Sequence, residues 1–279
     1  METCINIPCH KPMPWELRHC PACGTDNGLP NLRRAKHEQA ALTLRYEAAM
    51  TDCKTRGLET TALDFAQKIQ QDSHAVINGT ASFFYSFFDD DRNLYTTYDL
   101  QIAGQMRTAA AYEDDIRRRE VGSKVFGAYA KEIRYAALTL TGRGLTSYGG
   151  CSMVLNADIC GNLASLTEEN TYELVGHHPA GIPDGFRAVW TERHKLSLAK
   201  LAPKLTAATT PGHYAALLFF SEGRRATDQF IEVHLYGPFS CNSIKSASIP
   251  FTGANKKETH DLAYLFDKLV EKAIPCQRH

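Results

Sequence analysis

The sequence predicts an α+β fold, on three observations. Two long helical patterns stand near the N-terminus, and short strand candidates follow without alternating regularly with helices, which argues against a doubly wound sheet. Ahead of both, four of nine cysteines crowd into the first 23 residues, in a segment too short to fold on apolar burial alone.

That first segment carries Cys4, Cys9, Cys20 and Cys23, the last two in a Cys-Pro-Ala-Cys-Gly turn. Two thiolates on such a turn, with a second pair from Cys4 and Cys9, satisfy tetrahedral zinc. We expect a closed structural site, in which His10, His19 or His37 is an alternative fourth ligand. A redox pair is disfavoured because no strand precedes the turn. Cys53, Cys151, Cys160, Cys241 and Cys276 are scattered and read as small buried apolar residues. An odd, clustered set does not resemble a secreted disulfide framework.

Leu32, Ala35, Gln39, Leu42, Tyr46, Ala49 and Cys53 recur at steps of three and four, which predicts one helix from Asn31 to about Thr55, with Pro30 at its start and Gly57 after its end. A second helix is expected from Thr60 to Ile77, on the stripe Ala62, Phe65, Ala66, Ile69, Val76 and Ile77. Together they would form a hairpin. Arg33, Arg34, Lys36 and Arg45 give the first helix a basic side that suits solvent, a phosphate backbone or a partner. Beyond Asn78-Gly79 the expected elements are a strand at Asn93 to Tyr98 and a helix at Met106 to Glu120. Strands follow at Tyr135 to Thr141, Gly150 to Asn156, Tyr214 to Phe220, Phe230 to Tyr236 and Ala247 to Pro250. A last helix, Thr259 to Ala273, carries Leu262, Leu265, Phe266 and Leu269 on one side. The organisation expected is a zinc-binding module over 1–26, a helical hairpin over 27–80 and a mixed domain over 81–279, whose catalytic role is what the resemblance given below implies.

With 31 basic and 31 acidic residues no protein-wide field favours nucleic acid. No apolar run approaches the ~20 residues of a spanning helix, and the start METCINIPCHKP lacks a signal peptide's apolar centre, so a cytoplasmic protein without membrane contact is expected. Phosphate-loop, GxGxxG, GxSxG and HExxH patterns are missing, and His177-His178 sits in a Gly/Pro-rich turn.

The most informative stretch is Gln229 to Phe239, QFIEVHLYGPF. Successive strand side chains face opposite sides, so Ile231, Val233 and Leu235 point one way and Phe230, Glu232, His234 and Tyr236 the other. An acid flanked by aromatics suits a cleft lining, although a half-buried strand also carries a Glu on a solvated face without any function.

The blocks DRNLYTTYDLQIAG (Asp91 to Gly104), VFGAYAKEIRYAALTLTGRGLTSYGGCSMVLN (Val125 to Asn156) and QFIEVHLYGPFSCNSIKSASI (Gln229 to Ile249) resemble, in this order, a bacterial family associated with the mono-ADP-ribosyltransferase superfamily. The resemblance implies a split, mostly antiparallel sheet holding NAD as substrate, with Glu232 at the catalytic carboxylate position and Arg92 at a first-strand position that holds a pyrophosphate. Tyr148 and Ser152 would support the cofactor pocket, as would Tyr95 and Thr96 more weakly. Phe230 stands where arginine-modifying members carry an acid or amide, so protein arginine is a poor acceptor, and no Ser-Thr-Ser triplet occurs on the second strand. The loop before the Glu strand carries Arg224 and Arg225, which suit an anionic acceptor such as RNA. The resemblance thus points to a toxin that modifies mRNA in phage defence, held by an antitoxin and an export-type chaperone. NAD glycohydrolysis, or a non-enzymatic zinc-containing module binding nucleic acid or protein, are the alternatives.

Overall fold

The computed structural model describes residues 2–104, 120–221 and 228–279. Its strands are β1 (Glu2–Thr3), β2 (Pro12–Met13), β3 (His74–Gly79), β4 (Leu94–Tyr95), β5 (Ile133–Thr139), β6 (Cys151–Leu155), β7 (Ala164–Thr167), β8 (Arg187–Val189), β9 (Glu232–Tyr236), β10 (Phe239–Ser240), β11 (Ile244–Ile249) and β12 (Cys276–Arg278). Its helices are α1 (Pro30–His37), α2 (Gln39–Thr55), α3 (Glu59–Asp72), α4 (Ala81–Asp89), α5 (Tyr98–Ala103), α6 (Ala157–Leu163), α7 (Thr171–His177), α8 (Arg193–Leu201), α9 (Tyr214–Leu218) and α10 (Lys256–Glu271). The fold is α+β, as expected.

Eight strands form one sheet in the order β12-β11-β6-β3-β5-β9-β7-β8; β11 and β12 run parallel and every other neighbouring pair is antiparallel. β1 pairs with β2, and β4 with β10, in two small separate sheets. Strict alternation divides the large sheet into two faces. On one face Ala75, Ile77, Ala136, Leu138, Met153, Leu155, Val233 and Leu235 join a single apolar cluster with Phe65 and Ile69 of α3, Phe84, Phe87 and Phe88 of α4, Leu196 and Leu198 of α8, and Leu262, Leu265 and Leu269 of α10. Each of its fully buried Val, Leu, Ile, Met and Phe side chains contributes about 1.5–3 kcal/mol, and this cluster reaches from Leu42 to Leu269, so the helical segment and the sheet share one core. The opposite face is mixed. Val76, Asn78, Ser152, Val154, Tyr135, Ala137, Glu232, His234, Ser165 and Thr167 lie there by register.

Several expectations are corrected. The first helix is interrupted at Glu38, whose fully buried carboxylate accepts from Arg34, from Arg187 of β8 and from the Gly185 N–H; α1 packs on β7 and β8 while α2 packs on α8, so the break lets each lie on a different layer. The second helix ends at Asp72, and His74–Gly79 is the strand β3 in the middle of the sheet, so the expected helical hairpin does not extend to residue 80. A short apolar run fits either period, and β-branched Val76 and Ile77 favour the strand once both faces are covered. Tyr214–Leu218 is a helix and no strand, entered through a Pro211 turn that Thr210 and His213 close reciprocally. The strand expected from Asn93 shrinks to Leu94–Tyr95. The helix expected over Met106 to Glu120 lies almost wholly outside the described residues.

One glycine is dictated by close approach. Gly149 has φ of 134°, and a Cβ on it would stand 2.2 Å from the Gly79 carbonyl carbon. Gly149→Ala is therefore expected to lower stability by about 1–3 kcal/mol, read as a fall in denaturation midpoint with unchanged slope.

Candidate functional site

The mixed face of the sheet carries Glu232 at one margin and Ser152 at the other. Along one row the register runs Val154, Val76, Ala137, Glu232, Thr167 across β6, β3, β5, β9 and β7. In the next row Ser152 faces Asn78, and Tyr135 faces His234. Ser152 and Glu232 stand three strand spacings and one row apart, roughly 16 Å. Between them Val76, Ala137, Val154, Leu145 and Phe230 form a small buried apolar cluster, and half-buried Tyr148 packs on it from the turn over Thr146–Tyr148. The site thus has an apolar floor, hydroxyl and amide groups at one margin and a carboxylate at the other.

Glu232 is 8% exposed. Its Oε2 accepts the Thr171 backbone N–H at 2.8 Å and is 3.0 Å from His234 Nε2, which must be the donor because a carboxylate only accepts. Among the described residues Oε1 takes no hydrogen bond, and neither lysine nor arginine pairs with this carboxylate. Of the nearby charges, Glu168 and Glu169 are paired, while the Lys200 ammonium meets backbone carbonyls. Glu168, next after Thr167, meets Arg45 at 2.7 Å; burial pushes its carboxyl above the usual range while Arg45 opposes that. Burial likewise lowers Lys200, whose ammonium donates to the Glu168 carbonyl, and the Glu169 carboxylate raises His177.

At the other margin Ser152 Oγ accepts from the Gly144 N–H at 3.1 Å and from Asn78 Nδ2 at 3.1 Å. Asn78 Nδ2 also reaches the Gly149 carbonyl at 3.2 Å, so the loop 144–149 is clasped to the end of β3. Asp228, 4% exposed, accepts from Ser147 beside Tyr148 and from Ser221, tying the turn to both flanks of residues 222–227. Asn78 and Asp228 escaped the sequence reading. The usable signal for Asn78 was a lone amide interrupting the apolar run Ala75 to Ile77 at a position that alternation puts beside Ser152.

Other expected site residues are not brought to Glu232. Arg92 is exposed and its guanidinium is taken by Asp90 two residues earlier, at 2.5 Å. Tyr95 is buried at 7%, stacked on Phe239 at 4.9 Å inside the cluster that packs on the opposite face of the sheet. Thr96 is half-buried, and its carbonyl accepts from Gln101. Tyr95 thus belongs to the helix-covered side of the sheet, and Arg92 stands at the surface three residues before it. Arg224 and Arg225 lie outside the described residues.

The N-terminal cysteines converge. Ligand atoms of Cys4, Cys9, Cys20 and Cys23 all lie within 4.8 Å of one another, with Sγ separations of 3.6 Å for Cys4–Cys23 and 3.8 Å for Cys9–Cys20. Four sulfurs at ~2.3 Å around a tetrahedral ion stand about 3.8 Å apart, so this group could hold a metal ion. The cluster's own apolar content is only Met13 with the cysteines. Trp15, between the two cysteine pairs, meets Tyr129 edge-on at 5.8 Å; Tyr129 meets Phe126 at 5.6 Å, and Phe126 meets His234 at 4.8 Å. A ladder of rings thus joins this module to the Glu232 strand.

The basic side expected on the first helix is mostly spent inside the molecule. Arg33 donates to the Trp15 and Leu17 carbonyls and pairs with Glu2. Arg34 is taken by Glu38 and Asp184, and Arg45 by Glu168 and the Gly185 carbonyl, over the Phe186 ring. Lys36 alone of the four is exposed. No helix among the described residues is long and apolar enough to cross a membrane.

No family model matches this chain, and no curated protein does.

Proposed function

We propose that this protein is an NAD-dependent ADP-ribosyltransferase, a bacterial toxin whose acceptor is a nucleic acid such as mRNA. The observation that carries the reading is the placement of Glu232: a nearly buried carboxylate on the mixed face of the sheet, held through one oxygen, with no hydrogen bond on the other and no lysine or arginine partner among the described residues. In the reaction the bond between the nicotinamide nitrogen and ribose C1′ breaks, its electron pair leaving with nicotinamide. An acceptor oxygen or nitrogen then bonds C1′ and gives up its proton. A fixed carboxylate beside the ribose steadies the oxocarbenium-like charge that develops between those events. Val76, Ala137, Val154 and Phe230 form a buried apolar layer on which half-buried Tyr148 packs, and Ser152 with Asn78 stands at its edge, so a nicotinamide ring would be received beside Tyr148.

Phe230, two residues before Glu232, is buried at 4% in that floor, which supports an acceptor other than protein arginine. Arg224 and Arg225 before the strand support an anionic one. The metal proposed for the four cysteines is Zn²⁺, whose preference for tetrahedral thiolate sets suits a closed site. Inward use of Arg33, Arg34 and Arg45 weakens the reading as a nucleic-acid-binding module built on the first helix.

Incubation with NAD labelled on the adenylate side, in the presence of RNA, DNA or protein, tests the reading. Nicotinamide release with label on RNA is the expected result. Label-free macromolecules with free ADP-ribose would make the protein an NAD glycohydrolase, and folded protein that releases no nicotinamide would end the proposal.

A further inference from the structure

We infer that His234 is a positioning residue for Glu232, an assignment that rests on the transferase reading above. His234 lies two residues on from Glu232 in β9, on the same face, and is 1% exposed. Its Nε2 donates to Glu232 Oε2, and its ring is wedged edge-on by Phe126 at 4.8 Å and Tyr135 at 5.6 Å. The ring therefore has no freedom to swing away.

The geometry has a chemical consequence. A glutamate side chain has three rotatable bonds, and a lone backbone donor at Thr171 would leave the carboxylate free to pivot about that contact. Two donors on the same oxygen, one from the backbone of α7 and one from β9 itself, fix Oε2 and leave Oε1, which takes no hydrogen bond among the described residues, to meet the ribose. Stabilisation of a developing charge depends on such preorganisation, because reorienting the carboxylate during the reaction would consume the stabilisation it provides. His234 touches neither substrate nor reacting atoms; it acts through Glu232.

The test compares five variants with wild type, in NAD cleavage kinetics and thermal unfolding: His234→Gln, His234→Asn, His234→Leu, Glu232→Gln, and the double variant Glu232→Gln/His234→Leu. A glutamine amide nitrogen reaches the place of Nε2, whereas an asparagine amide stops near the place of Nδ1. Expected for His234→Asn and His234→Leu is a fall in kcat of about 10- to 100-fold with KM for NAD little changed, the size of one hydrogen bond to a charged group. His234→Gln should recover most of it, and adding His234→Leu to Glu232→Gln should cost no further activity. Wild-type kcat in His234→Asn, or an equal loss when His234→Leu is added to Glu232→Gln, would overturn the assignment while the transferase reading stands. Absence of nicotinamide release by wild type would remove both. Should His234→Leu not fold, the Gln and Asn pair decides alone.

Discussion

Glu232→Gln is expected to keep the fold and to lower NAD cleavage about 10²- to 10³-fold, the loss typical when one preorganised electrostatic partner of a transition state is removed. The amide keeps the shape of the side chain and an oxygen that can accept the Thr171 N–H, so the start of α7 stays satisfied. What disappears is the negative charge. Because the carboxylate is 8% exposed and unpaired with lysine or arginine among the described residues, little solvent or counter-charge screens it, and its removal is felt in full at the ribose. If the chemical step governs turnover, kcat falls and KM for NAD stays close to wild type, since the charge acts on a species that forms after binding. Single-turnover measurement of nicotinamide release separates this from a binding defect. A variant cleaving NAD at the wild-type rate would show that Glu232 holds α7 and does nothing else.

Removal of the metal is the second large effect. A thiolate-bound structural ion contributes apparent binding free energies of about 10–16 kcal/mol at neutral pH, and the only other apolar side chain in this cluster is Met13. Cys20→Ser, or prolonged chelation, should therefore melt residues 2–27 while the large sheet persists, because the cluster from Leu42 to Leu269 contains none of these cysteines. Elemental analysis should find one equivalent of metal per wild-type chain and well below one in the variant. Amide exchange should accelerate at Cys4, Cys20 and Gly24, whose N–H groups donate within the module, but stay slow in β3, β5 and β6. Unchanged exchange in metal-free protein would show that the cysteines are packing residues.

The parts of the fold legible in the sequence are those where one residue pattern admits one geometry. The alternation from Phe230 to Tyr236 placed Glu232 and His234 on the face opposite Val233 and Leu235, because a period of two has no helical competitor over seven residues that mix acid and aromatic. Cys20-Pro-Ala-Cys23 placed two sulfurs on one turn for a similar reason. Val76 and Ile77 were not legible, since an apolar run that short fits the tail of a helix until the strands on both sides are known. Tyr214 to Phe220 misled through its aromatic ends; Tyr214 in fact donates to Asp64 and packs on Phe65, contacts some 150 positions away. Arg92 was chosen for its guanidinium, with pairing to the preceding aspartates as the alternative, and in the structure it pairs with Asp90. Asn78 and Asp228 depend on loops folding over the sheet, which no local period encodes.

The run of rings from Trp15 through Tyr129 and Phe126 to His234 has a consequence for supply. On the proposed reading, metal supply would set how much of the protein is armed: chains made during scarcity would carry a complete sheet but a slack grip on Glu232, and later acquisition of an ion by the four cysteines would tighten it without new synthesis.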